Sequence, residues 1–87
     1  MSEASLFTFP CAFPIKLIAR SGVDLESIAR EIVRAQALHP DQAHWSVHAS
    51  RHGRYQALTV TIQADGRDEL DRLYGAFTGR KEILIVL

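Results

Sequence analysis

Residues Ser50–Ile62, S-R-H-G-R-Y-Q-A-L-T-V-T-I, decide the fold, because they contain a glycine-centred turn followed by a regularly alternating segment. Apolar and weakly polar positions alternate there: Leu58, Val60 and Ile62 against Ala57, Thr59 and Thr61. Successive side chains of a strand point to opposite faces, so one face is apolar and the other mildly polar. The segment predicts a strand in a sheet that carries helices on one side only.

The residues before this strand predict its hairpin partner. Side chains in His44–Ser50 alternate in the same way, with Trp45, Val47 and Ala49 on the face predicted to be buried. Only the short turn His52-Gly53-Arg54 separates the two segments, which is typical of an antiparallel hairpin.

A strand and a helix are predicted before the hairpin. Ile15–Arg20 is rich in β-branched residues, which favour a strand. After the turn Ser21-Gly22-Val23-Asp24, apolar residues recur at helical spacing until Pro40 limits the helix to about Leu38 or His39. We expect the side chain of Asp24 or Ser21 to cap this helix.

A second helix and strand are predicted after the hairpin. Asp65 is expected to cap the helix, with Asp68 three residues later as its reciprocal partner. Gly79 is the expected left-handed cap at the other end. The final run Ile83–Leu87 predicts a fourth strand that is apolar on both faces.

The element order is therefore β-α-β-β-α-β, the α+β ferredoxin-like plan. Right-handed crossovers place both helices on one face of a four-stranded antiparallel sheet, with the first and third strands central. The open face is expected to carry Lys16, Ile18, Ala57, Thr59 and Thr61, with either Leu84 and Val86 or their neighbours. An apolar fourth strand on an open face predicts that a second copy of the chain or another protein covers it.

The chain, 87 residues long, is expected to form an extended N-terminal arm over residues 1–11 and one domain over residues 12–87. Phe7, Phe9 and Phe13 alternate with prolines in and beside the arm, which favours extended backbone. These rings are expected to cover the core, and docking of a partner is the alternative.

Charge and cysteine content limit the partners and the compartment. Ten basic residues balance ten acidic ones, so no field attracts nucleic acid or an anionic membrane, and neither partner is expected. Zero net charge also lowers the barrier to self-association, and a homodimer is expected. Cys11 is the single cysteine, which fits a reducing compartment, and the cytoplasm is the expected location.

Known chemistries of this plan lack their residues here. The chain has no asparagine to position water as acylphosphatases do, and one cysteine cannot form a C-x-x-C metal motif. His44, His48 and His52 recur every four residues, but residues four apart in a strand are about 13 Å apart, too far to share one zinc. No metal, cofactor or catalytic residue is predicted.

Two alternatives stay open at the hairpin tip. Ser50 beside His52 or His48 could serve a small hydrolase, although no acidic orienter accompanies them. Arg51, His52 and Arg54 form a basic tip that could contact an acidic partner or, more weakly, nucleic acid. Together with Thr59 and Thr61 they are the predicted partner-contact residues.

Three segments carry a family resemblance: F-P-C-A-F-P-I-K near the start, S-R-H-G-R-Y-Q-A-L-T-V-T-I in the middle and L-Y-G-A-F...I-L-I-V-L at the end. Over residues 6–87 the chain resembles the YbeD-like proteins, small and mostly uncharacterised bacterial proteins; it departs from them at Ala57, where they usually have serine. The resemblance implies a ferredoxin-like fold similar to the ACT regulatory domains, which bind amino acids or similar small molecules at a dimer interface. By position, the implied ligand site is the turn Ser21, Gly22, Val23 and Asp24. The expected function is a non-enzymatic regulatory or interaction module.

Overall fold

The computed structural model describes residues 8–49 and 53–87. The predicted element order β-α-β-β-α-β is confirmed: β1 Cys11–Arg20, α1 Leu25–Gln36, a 3₁₀ turn Pro40–Gln42, β2 His44–Ala49, β3 Tyr55–Ala64, α2 Arg67–Thr78 and β4 Ile83–Val86. The four strands form one antiparallel sheet in the order β2-β3-β1-β4. The first and third strands are central, as the ferredoxin-like plan requires.

The core lies between the sheet and the two helices. Apolar positions two apart on the central strands supply its sheet side: Ile15, Leu17 and Ala19 of β1 and Leu58, Val60, Ile62 and Ala64 of β3. Positions at helical spacing supply the other side: Leu25, Ala29, Ile32 and Val33 of α1 and Leu70, Leu73 and Phe77 of α2. The predicted periodicities therefore identify the buried faces of the central strands and the helices correctly. At β2 the prediction is wrong for Val47, which is 61% exposed because β2 is an edge strand, whereas Trp45 packs against the core.

Strand β1 begins at Cys11, four residues earlier than the predicted start at Ile15. Pro14 lies inside it and pairs with Thr61 of β3. Lys16 exchanges backbone hydrogen bonds with Leu87 beside β4, so the nitrogen of Pro14, two residues earlier, faces that same side. No described residue pairs with Pro14 there, so its missing N–H breaks no ladder bond. Phe9 and Phe13 pack against the core, and Phe7 lies outside the described residues.

Capping follows the prediction at α1 but not at α2. The carboxylate of Asp24 accepts a hydrogen bond from the Ser27 backbone N–H at 3.4 Å. At α2 the N-cap is Gly66, so the predicted Asp65–Asp68 arrangement is wrong. Glu69, one residue later than predicted, accepts from the Asp65 N–H at 2.8 Å.

Gly79 does not form the predicted left-handed cap. Its φ is −76° and its ψ is −11°, so it continues the right-handed conformation of α2. Its N–H donates to the Gly75 carbonyl at 3.0 Å, which satisfies the helix end without a positive φ.

Candidate interaction surface

The sheet face away from the helices is open, and its residues are set by strand register. Paired residues of neighbouring strands point to the same face. Lys16 lies opposite Thr59, and Ile18 lies opposite Ala57, between core positions on both strands. The open face therefore includes the residues that the alternation predicted.

The open face is apolar near β4. Ile85 pairs with Ile18, and Leu87 exchanges two backbone hydrogen bonds of 3.0 and 2.8 Å with Lys16, so both point to this face. Of the alternatives left by the sequence, the neighbours Ile85 and Leu87 occupy the open face, whereas Val86 packs against the core. Leu84 lies at a bulge in the pairing and is also exposed. We call Ile18, Ala57, Leu84, Ile85 and Leu87 the apolar patch.

The open face is polar near β2. His44, Ser46 and His48 lie opposite Thr61, Thr59 and Ala57 respectively. The hydroxyl of Ser46 is 3.0 Å from Nε2 of His48. Across residues 8–49 and 53–87, no three His, Cys, Asp or Glu side chains come close enough to hold a metal. Thr59 and Thr61, two predicted contact residues, belong to this polar half and are partly buried.

Strand β4 is an edge of the sheet. Lys16 and Leu87 form a hydrogen-bonded pair, so the adjacent pair, Leu17 and Val86, is not hydrogen-bonded. The N–H and C=O of Val86 therefore point towards the free edge. Before the strand, Arg80 and Glu82 bond to each other at 3.2 Å, which lowers the pKa of Glu82, and Lys81 between them is exposed. The edge thus offers backbone hydrogen-bonding groups and no unpaired charge within the strand.

The predicted ligand turn Ser21–Asp24 is braced from within the fold. The Ser21 N–H donates to the Arg54 carbonyl at 2.9 Å, and the Gln56 amide donates to the carbonyls of Arg20 and Val23 at 3.0 and 2.6 Å. Gly22 has a φ of +95°, which a side chain would strain. Because the Asp24 carboxylate already lies at the start of α1, an anionic ligand would bind beside a negative charge. Ligand binding at this turn stays a prediction.

The predicted hairpin tip lies mostly outside the described residues. Ser50, Arg51 and His52 fall in the gap between residues 49 and 53, so the hydrolase alternative and the basic tip stay predictions. Arg54 is described and exposed, and its carbonyl joins the hairpin to the β1–α1 turn.

A surface cavity of about 220 Å³, which the sequence did not predict, lies between α1, the 3₁₀ turn and β2. Its lining is Arg30, Val33, Arg34, Pro40, Asp41 and Trp45. The guanidinium of Arg30 lies 4.5 Å from the centroid of the Trp45 ring and bonds Glu26 at 2.8 Å. The sequence indicated the Glu26–Arg30 pair and an inward Trp45. Their meeting depends on how α1 packs on β2, and no local pattern encodes that packing.

The titratable network beside this cavity is also absent from the sequence prediction. Nε2 of His39 lies 2.9 Å from Oδ2 of Asp65. This hydrogen bond, and then the charge of Asp65, raise the pKa of His39. Glu69 is only 2% exposed, and it accepts backbone hydrogen bonds from Leu38 and Asp65, each at 2.8 Å. The carboxylate therefore links the segment after α1 to the segment before α2 through hydrogen bonds.

None of the helices in the described ranges combines the length and apolar character needed to span a bilayer. The longest, α1 and α2, have 12 residues each, and about 20 apolar residues are required.

Comparison with known proteins identifies relatives and a structural neighbour. The family model described as "Protein of unknown function (DUF493)" matches residues 4–87. A UPF0250 protein of Nitrosomonas europaea is 38% identical over 87 residues, all of both chains. A UPF0250 protein of Paraburkholderia phymatum is 39% identical over 83 residues, 95% of this chain and 93% of the relative.

The solution structure of protein HP0495 from H. pylori aligns with a TM-score of 0.68 over 100% of this chain and 94% of that one. At 14% identity this likeness shows the shared fold alone. The family match and the relatives, in contrast, cover the chain from near its start to Leu87. The chain therefore belongs to the DUF493 family, the small YbeD-like bacterial proteins that its three sequence segments resemble.

Proposed function

We propose that the protein is a non-enzymatic regulatory or interaction module of the ACT-like kind, which works as a homodimer in the cytoplasm. A small amino-acid-like ligand or a partner protein would act on that dimer. The observation that carries the proposal is strand β4, an uncharged edge strand that, with the residue after it, exposes three large apolar side chains: Leu84 at 48%, Ile85 at 47% and Leu87 at 63%.

A second copy of the chain is the occupant that best fits this edge. A free edge strand pairs most readily with another strand, because its backbone N–H and C=O groups lack partners. Antiparallel pairing of two β4 strands about a two-fold axis is self-complementary, since each Val86 offers both a donor and an acceptor. The chain's zero net charge adds no repulsion between copies.

The same pairing also accounts for the apolar patch. Two sheets joined at β4 would form eight strands, with all four helices on one side. The exposed Ile85 and Leu87 side chains of both copies would then meet at the centre of the open face. Burial of apolar surface is worth about 25 cal/mol per Å², so merging the two patches favours association.

The non-enzymatic part rests on the chemistry of the described side chains. Ser46 and His48 are within hydrogen-bond distance, but His48 is exposed, Ser46 is half-buried and no described carboxylate contacts His48. A nucleophile–base pair needs an orienting group and a donor for the developing oxyanion. The Ser46–His48 pair lacks a described carboxylate to orient the histidine, and this supports a binding role over a hydrolytic one.

Sedimentation at high micromolar concentration tests the dimer. We expect the wild-type protein to sediment as a dimer, and Ile85→Lys to become monomeric because each copy would place a lysine charge among the merged apolar side chains at the joint. Val47→Lys is the matched control, since Val47 is 61% exposed on the opposite edge strand β2. It should leave the dimer intact. A monomeric wild-type protein, or equal dimerisation of both variants, would contradict the proposal.

A further inference from the structure

We infer that the cavity between α1, the 3₁₀ turn and β2 binds a zwitterionic α-amino acid with a compact apolar side chain. This inference rests on the ligand-binding part of the proposed function and is independent of the dimer. The site is distinct from the turn Ser21–Asp24, which lies at the other end of α1.

The size of the cavity limits the ligand. Its volume of about 220 Å³ is below the roughly 300–1,000 Å³ that is common for drug-sized ligands. A free amino acid is in the range that such a cavity can hold, whereas a nucleotide is not.

The apolar part of the lining suits a short aliphatic side chain. Val33 is 1% exposed and forms the floor, while Pro40 and the half-buried Trp45 supply the walls. These three residues come from α1, the 3₁₀ turn and β2, so the packing of the fold fixes their positions.

The charges of the lining select the polar part of the ligand. The positive charge of Arg30 is neutralised by Glu26 at 2.8 Å and lies against the Trp45 ring. Arg34 and Asp41 form no ion pair or hydrogen bond with any residue in the described ranges. One positive and one negative group therefore remain available at the same cavity.

This pair of charges discriminates between classes of ligand. A simple anion such as phosphate would be attracted by Arg34 but repelled by Asp41. A simple cation would be attracted by Asp41 but repelled by Arg34. An α-amino acid carries both charges about one carbon atom apart. Its carboxylate can form a bidentate pair with the guanidinium of Arg34, and its ammonium group can form an ion pair with Asp41.

Trp45 gives a direct measurement, because it is the only tryptophan in the chain. We would titrate the full chain with L-leucine and follow Trp45 fluorescence, with leucinamide and N-acetyl-leucine as probes that lack the carboxylate and the ammonium charge. L-leucine should give a saturable change with an apparent Kd in the millimolar range. Each altered probe should bind at least tenfold more weakly.

Variants assign the effect to the cavity. Arg34→Ala and Asp41→Asn should each weaken L-leucine binding at least tenfold without changing the thermal unfolding of the free protein, since both side chains are exposed. Arg72→Ala is the matched control, because Arg72 is an exposed arginine on α2 that does not line the cavity. It should bind L-leucine as the wild-type protein does.

Two outcomes would overturn the inference. One is no saturable Trp45 response to L-leucine, and the other is an equal response in Arg34→Ala. Thermal unfolding with L-leucine, measured in parallel, separates this failure from that of the proposed function. If L-leucine raises the Tm of the wild-type protein and Arg34→Ala alike, ligand binding stands but uses another site. If L-leucine neither shifts the Tm nor changes the fluorescence, the inference fails together with the ligand part of the proposed function, while sedimentation still tests the dimer.

Discussion

The two edge strands of the sheet, β2 and β4, are attached to the core by different side chains. Strand β4 is held by apolar burial, with Ile83 only 6% exposed and Val86 packed against the core. Strand β2 pairs with β3 along its length and packs Trp45 against the core, and polar contacts add to its attachment. Arg30 lies against Trp45 on the strand itself, and the Glu69 carboxylate holds the backbone of Leu38 just before it.

The side chains on the open face at each edge indicate which kind of partner that edge can bind. The open face of β2 carries His44, Ser46 and His48, and polar side chains discourage strand-to-strand association. The open face at β4 carries Ile85 and Leu87, so the same sheet has one protected edge and one unprotected edge. The His39–Asp65 pair also makes the stability of the β2 side depend on pH. The apolar contacts of β4 contain no titrating group, so its attachment does not depend on pH.

The largest effect should come from the apolar anchor of β4. Ile83→Ala is expected to lower the free energy of unfolding by about 2–5 kcal/mol, because it removes a buried side chain and leaves a cavity. Ile85→Ala is the matched control two residues later in the same strand. Since Ile85 is about half exposed, its truncation should cost about 1 kcal/mol or less.

Denaturant unfolding with urea measures both variants. The comparison should be made at a protein concentration below that of dimer formation, so that Ile85 reports on the single chain. Equal losses for the two variants would mean that β4 is not anchored through Ile83.

A smaller effect is expected at the polar anchor before β2. Glu69→Gln should lower the free energy of unfolding by about 2–3 kcal/mol, since a glutamine amide has one oxygen and cannot accept from both the Leu38 and Asp65 N–H groups. Its NH₂ group would also face an N–H donor inside the fold. Glu31→Gln is the control, because its ion pair with Arg80 is 3.8 Å long and exposed and should be worth less than about 1 kcal/mol.

Thermal and urea unfolding are the measurements for this pair of variants. A Glu69→Gln protein as stable as the wild type would show that the buried carboxylate is not needed to hold α1 to α2. The segment before β2 would then be held by other contacts, such as the packing of Trp45 against the core.

The smallest effect should be a pH dependence confined to the β2 side. Asp65 raises the pKa of folded His39 above its ordinary value of 6.5, so protonated His39 favours the folded state. This stabilisation is fully present below pH 6.5 and is lost as the pH rises through the raised pKa of folded His39. The advantage of the wild-type protein over Asp65→Asn should therefore shrink as the pH rises from about 5.5 to about 8.

NMR titration of the His39 ring gives the direct measurement. Its pKa should fall towards 6.5 in Asp65→Asn. The loss caused by Ile83→Ala should stay constant across the same pH range, because no titrating group takes part in it. A His39 pKa that is unchanged by Asp65→Asn would argue against the ion pair.

Local sequence patterns were sufficient to predict the order of the strands and helices, but not to predict where each element begins and ends. Alternation over Leu58–Ile62 and helical spacing in both helices identified the faces that form the core, since these periods depend only on backbone geometry. The start of β1 was predicted four residues late, because a proline usually marks the end of a strand. Pro14 is accepted inside β1 because no described residue pairs with it on the side that its nitrogen faces. The cap of α2 was misassigned because Asp68 and Glu69 are chemically alike, and only packing decides which one is buried.

The candidate surfaces divide in the same way. Periodicity over neighbouring residues was sufficient to predict the ferredoxin-like order, most of the core and an apolar fourth strand on an open sheet face, and three sequence segments indicated the family. The strand register was needed to show that Ile85 and Leu87, not Val86, face outward, since a bulge at Leu84 sets it. Only the tertiary structure decided that Arg34, Asp41 and Trp45 line one cavity and that Glu69 is buried between two helices. The Glu69–Leu38 contact joins residues 31 apart in the chain, and the cavity depends on the path of the chain from α1 to β2, so both depend on packing and not on a local pattern.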